Sequence, residues 1–144
     1  MGNTHYKIAP KRVDIYLANE TNTETIKLIE DQNMSFYRDK SIQQDSSKII
    51  LFVIERNKRA TSTCCEAAFH IGKQLNTSYN IFQPKIVLSI EPYPETKETL
   101  NESQELNLMR SKLRDLALKH GVPVFDKPDI QMASYLKEMA RSQY

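Results

Sequence analysis

A chain of 144 residues, 40% hydrophobic and 26% charged, suffices for one domain with its own core and excludes the composition of a disordered polypeptide. Twenty basic against eighteen acidic side chains leave a formal charge of +2 with no long run of either sign, so no nucleic-acid partner is expected. No apolar run approaches membrane-spanning length and "MGNTHYKIAP" lacks the apolar segment of a signal peptide, so the expectation is a soluble, cytoplasmic protein with no membrane partner.

In chain order, residues 1–11 are expected to form a flexible tail, and the rest a single domain reaching residue 144. The first strand is "VDIYLA", residues 13–18, followed by the short amphipathic helix pattern "TETIKLIEDQ" and a weaker strand, "MSFY", at 34–37. "KIILFVI", 48–54, has no polar alternation after Lys48, which demands that both its faces be covered; this suits the centre of a parallel sheet. From Thr63 onward, Cys64, Ala67, Ala68, Ile71 and Leu75 recur at helical spacing and predict one apolar face. Cys64 and Cys65 are adjacent, where a disulfide would be strained, and no CxxC or Cys/His cluster accompanies them, so reduced thiols and no metal site are expected.

"KIVLSI", 85–90, is the next strand, and "EPYPETKETLNES" is a polar loop with two prolines. The longest helix is predicted from about Ser103 to His120, burying Leu106, Met109, Leu113 and Leu116 and leaving Arg110, Lys112, Arg114 and Asp115 in water. Lys119 and His120 suit the negative end of its dipole, Gly121 suits a left-handed cap, and Pro123 blocks continuation. "VPVF", 122–125, is a fifth strand. A last amphipathic helix follows, with Ile130, Ala133, Leu136 and Met139 as its expected buried positions.

This alternation predicts an α/β three-layer sandwich, flavodoxin/Rossmann-like, with a mainly parallel sheet of about five strands. Ligands of such sheets bind beyond the carboxyl ends of the strands, so the segments to search are "NETN", "ERNKRATST" and "EPYPE". None carries a glycine-rich phosphate fingerprint, so no dinucleotide cofactor is expected.

Glu66 stands just beyond the second of these segments and admits two readings. Thr63-x-x-Glu66 matches a capping box, a purely structural arrangement. A carboxylate near the start of a helix, past a buried strand, is equally placed to meet a ligand, with the helix dipole favouring the ionised form a nucleophile needs.

"ILFVIERNKRATSTCCEAAFHIG", then "KIVLSI", then "LNLMRSKLRDLALKHGVPVF" together resemble the nucleoside 2-deoxyribosyltransferase-like family over roughly residues 48–126. The shared pattern is an LFVI strand, a loop with Arg, a helix start of the Ser-x-x-Glu-Ala-Ala type followed by Ile-Gly, and a late helix ending in Gly-Val-Pro-Val-Phe. The resemblance implies that Glu66 is the nucleophile on the anomeric carbon of a deoxyribonucleoside or its monophosphate, holding the sugar covalently until a base or water takes it. The logic is that of retaining glycosyl transfer, in which a carboxylate stabilises and then bonds an oxocarbenium-like centre.

By the same resemblance Glu55 assists, and Tyr16, Asn19, Asn57, Arg59, Ser62 and Thr63 line the substrate. No cofactor is implied, and a homodimer is the assembly implied. His70 is read as a partly exposed helix residue and Tyr93 as a surface aromatic. "IYLANETNTET" lacks the glycines, and the chain lacks the tryptophan, usual near the family's first strand end. That departure favours the alternative function, a catalytically silent nucleotide-binding or protein-interaction module of the same fold.

Overall fold

The computed structural model describes residues 13–18, 22–38, 47–76 and 83–142. The element order is β1 (Val13–Leu17), α1 (Thr23–Asp31), β2 (Phe36–Tyr37), β3 (Ser47–Ile54), α2 (Thr61–Asn76), β4 (Lys85–Ile90), α3 (Leu100–Lys119), β5 (Val124–Phe125) and α4 (Ile130–Arg141). The proposed tail falls outside the described residues. All four strand pairings are parallel, in the order β2-β1-β3-β4-β5.

β3 is central, and its period of two explains the three layers. Ile50, Phe52 and Ile54 enter one core with Cys64, Ala67 and Ile71 of α2 and Leu113 and Ala117 of α3. Ile49, Leu51 and Val53 enter the other, with Ile29 of α1 and Met132, Leu136 and Ala140 of α4. Each large side chain taken fully out of water here contributes roughly 1.5–3 kcal/mol. The edge strands β2 and β5 have only two residues each, which leaves little unpaired backbone on either rim.

Local signals set the helix ends. Asn22 Oδ1 accepts from the Thr25 amide at 2.8 Å and starts α1; Asp129 Oδ1 accepts from the Met132 amide at 3.0 Å and starts α4. α3 ends in the expected glycine cap: Gly121 has φ +73°, its amide donates to Leu118, and the Val122 amide donates to Ala117 at 2.8 Å.

Three expected burial patterns are corrected. Leu75, expected on the apolar face of α2, is 51% exposed, because the helix makes its last core contact at Ile71, one turn earlier. Ile130 is 66% exposed, because Asp129 caps α4 and puts Ile130 in its first turn, turned away from the sheet; Met132 takes the buried place instead. Arg110, expected in water, is 2% exposed. It follows Leu106 by one turn and precedes Leu113 on the buried stripe of α3, so its guanidinium is carried to the carboxyl end of the sheet.

Candidate functional site

The chain passes from one face of the sheet to the other between β1 and β3. α1 lies with α4 on one face; α2 and α3 lie on the other. The crevice of such a sheet opens beyond the carboxyl ends of β1 and β3. Glu55 immediately follows β3 there and is buried. Its Oε1 accepts from the Asn22 amide at 3.0 Å, across the crevice, and its Oε2 pairs with Lys58 Nζ at 3.0 Å. Both oxygens are therefore engaged, and Glu55 braces the start of α1 against the end of β3.

Arg110 makes a second set of ties. Its Nη1 donates to the carbonyls of Glu55, at 3.2 Å, and Glu91, at 2.5 Å; its Nη2 donates to the carbonyl of Lys58. The guanidinium sits 5.5 Å from the centre of the Tyr93 ring, and Asn107, one turn earlier on α3, exchanges two hydrogen bonds with the Tyr93 backbone. One turn later, Arg114 Nη2 donates to the carbonyl of Ile90 at 3.2 Å, and its Nη1 pairs with Asp126 at 3.0 Å. Through Glu55 and Arg110 the segments after β1, β3 and β4 are tied together. Burial pushes the pKa of Arg110 down, opposed by its proximity to Cys64, Tyr93 and Glu91. Its stem occupies a core position of α3, and a long cation at that place in an apolar stripe was the signal from which its burial was readable.

α2 begins two residues earlier than expected. Thr61 is its first residue, the Cys64 amide donates to the carbonyl of Ala60 at 2.9 Å, and Ala60 itself has φ +55°, a left-handed backbone unusual for a residue with a Cβ. Thr63 is thus inside the first turn, not its cap, and Glu66 is in the second turn. The capping-box reading of Glu66 is corrected by that geometry. Glu66 is half-buried, and its side chain has no hydrogen bond or ion pair with any other described residue. Thr63, Glu66 and His70 follow one another along the flank of α2 opposite to α3, while Cys64, Ala67 and Ile71 point into the core. His70 is held there by its ring, 5.7 Å from that of Phe52 and 5.8 Å from that of Phe69.

The remaining expected site residues are dispersed. Tyr16 is buried in β1, on the sheet face that α2 covers. Asn57 is exposed in the turn after Glu55, and Arg59 pairs with Glu102 of α3 at 3.0 Å. Ser62 is exposed and Thr63 half-buried, both in the first turn of α2. Asn19 lies outside the described residues. Among the described residues there is no group of three or more His, Cys, Asp or Glu placed to hold a metal, and no helix is long and apolar enough to cross a membrane.

The two cysteines differ sharply. Cys64 is buried and its thiol is pushed up to about 11, chiefly by burial, with Arg110 opposing and Cys65 adding to the rise; Cys65 is exposed. At about pH 8 one thiol per folded chain, Cys65, is expected to react quickly with a disulfide reagent, and the second only after unfolding. Because folding raises the Cys64 pKa from 9.0 to about 11, its contribution to stability is complete below pH 9.0 and is lost as pH climbs through 11. A Cys65→Ser chain that still shows a fast-reacting thiol would contradict this assignment.

The strand order, the two covered faces and the crevice between β1 and β3 define a doubly wound, flavodoxin-like α/β protein. Comparison with protein-family models finds none that matches the chain, and comparison with curated proteins finds no match.

Proposed function

We propose that this protein cleaves or transfers the N-glycosidic bond of a deoxyribonucleoside or its monophosphate through a covalent sugar ester on Glu66. The observation that carries this reading is a half-buried carboxylate, one helical turn past the start of α2, the helix that follows the central strand, with no cap or ion pair among the described residues to occupy it. A Glu66 oxygen attacks the anomeric carbon, the bond to the base breaks with its electron pair leaving on the base, and the base takes up a proton from water. Water or a second base then displaces the carboxylate. The reaction needs neither metal nor organic cofactor, since the carboxylate itself carries the sugar. In this reading the protein works in the cytoplasm on a small nucleoside or nucleotide and assembles as a homodimer.

A second reading has its own observation. Both oxygens of Glu55 are engaged, by the Asn22 amide and by Lys58, so that side chain is committed to bracing the fold and not to a departing base. This supports a silent module that binds a nucleotide without turning it over. Incubation with the four deoxynucleosides and free adenine, followed by chromatography, separates the two. Base exchange or free sugar, with a deoxyribosyl mass increment on the peptide containing Glu66 after acid quench, is expected for the enzyme. Saturable nucleotide binding without base release would overturn it in favour of the second reading.

A further inference from the structure

We infer that the carboxyl ends of β4 and β5 hold a second binding site, for a small monocarboxylate carrying one further oxygen acceptor, which Arg114 and Arg110 grip in place of Asp126. The pocket there has a volume of about 480 Å³; its lining is apolar at Ile90 and Pro92 and charged at Arg110, Arg114 and Asp126. It lies toward the β5 edge of the sheet, whereas the crevice opens between β1 and β3. None of the residues assigned to the nucleoside lines it.

Asp126 shows which chemistry the site takes. Its Oδ1 lies 3.0 Å from Arg114 Nη1, so a carboxylate is already the group this guanidinium holds. The aspartate side chain is 87% exposed, and an ion pair so open to water adds little stability, so an incoming carboxylate displaces it readily. Arg114 Nη2 meanwhile stays on the carbonyl of Ile90 at 3.2 Å, which fixes the plane of the fork. A second observation comes from Arg110, which lines the same pocket and is 2% exposed. Both its terminal nitrogens donate to main-chain carbonyls, whereas its Nε is buried with no acceptor. A buried donor in that state marks a place for an atom the chain does not supply. Arg110 precedes Arg114 by one turn, about 6 Å along α3, so a hydroxyl or carbonyl a few bonds from the bound carboxylate supplies that atom. Glu91 sets the charge: it is close enough to Arg110 to oppose the fall in its pKa, and a second negative charge on the ligand would meet it. A monoanion therefore fits better than a phosphate dianion.

The site is independent of the glycosidic chemistry, and either stands if the other fails. Nitrogen-edited NMR of the isotope-labelled full chain, reading the arginine Nε–H signals at constant ionic strength, tests it with acetate, β-hydroxybutyrate and inorganic phosphate as probes. β-Hydroxybutyrate is expected to bind saturably and to shift the signals of both Arg110 and Arg114. Acetate lacks the second acceptor; it is expected to bind about threefold more weakly, or worse, and to shift mainly Arg114. Asp126→Asn is expected to tighten β-hydroxybutyrate by about threefold, because the internal competitor loses its charge. Arg114→Gln is expected to weaken it by about tenfold or more. No saturation by β-hydroxybutyrate up to about 50 mM would overturn the proposal. So would an Arg110 signal that no probe moves, an Asp126→Asn chain that binds no tighter than wild type, or phosphate bound more tightly than either carboxylate. Asp126 is exposed, so its variant stays decisive even if Arg114→Gln, which also loses the bond to Ile90, disturbs folding.

Discussion

Arg110→Met is expected to lower the stability of the folded chain by about 3–5 kcal/mol. Methionine keeps most of the stem in the core between Leu106 and Leu113, so the loss belongs to the guanidinium. Three carbonyls, those of Glu55, Lys58 and Glu91, each lose a donor at once, and the Glu55 carbonyl keeps only the longer bond from the Lys58 amide at 3.3 Å. Each buried acceptor left unpaired costs about 1–3 kcal/mol, and the total falls short of the sum because Lys58 is exposed and its carbonyl regains water. Arg110→Lys is expected to recover less than half of the loss, since a single ammonium cannot reach carbonyls on two separate loops in the fork geometry of a guanidinium. Urea denaturation followed by circular dichroism measures both variants. A decrease under about 1 kcal/mol for Arg110→Met would show that the ties to the two loops carry little of the fold's free energy.

The same residue shows where sequence reasoning ran short. The strands were readable because burial on both faces requires unbroken β-branched runs, and "KIILFVI" has no other stable use; the expected 48–54 and the observed Ser47–Ile54 differ by one residue. The end of α3 was readable because Gly121 is needed for a positive φ that other residues resist. The charge of Arg110 argues for water, whereas its place on the stripe of Leu106, Leu113 and Ala117 argues for burial. A buried cation needs acceptors, and its acceptors are main-chain carbonyls contributed by loops far away in sequence, which no local pattern encodes.

The start of α2 is hidden from the sequence for a different reason. "TST" at 61–63 offers three successive residues that cap helices well, and the choice among three registers was settled by the left-handed turn at Ala60, a tertiary matter. Of the candidate site, the position of Glu66 past the central strand was legible. The engagement of Glu55 by the Asn22 amide is not, because it joins segments more than thirty residues apart.

Glu66→Gln separates chemistry from structure more sharply than any other substitution in the crevice. The amide has nearly the size of the carboxylate, and no hydrogen bond or ion pair to another described residue is lost. Glu66 also stands outside the first turn of α2, so it satisfies none of the free amides there, and the 0.5–2 kcal/mol penalty typical of a lost cap does not apply. Stability is therefore expected to stay within about 0.5 kcal/mol of wild type. Turnover behaves otherwise if this carboxylate bonds the sugar, because a neutral amide neither stabilises an oxocarbenium-like centre nor forms the ester. Base release is expected to fall by about a thousandfold or more, equivalent to about 4 kcal/mol of transition-state stabilisation. Glu66→Ala should match Glu66→Gln in rate, since both remove the charge. Base release by Glu66→Gln at the wild-type rate, or an unfolding loss above about 1 kcal/mol with turnover intact, would return Glu66 to the role of an ordinary helix side chain and move the chemistry elsewhere in the molecule.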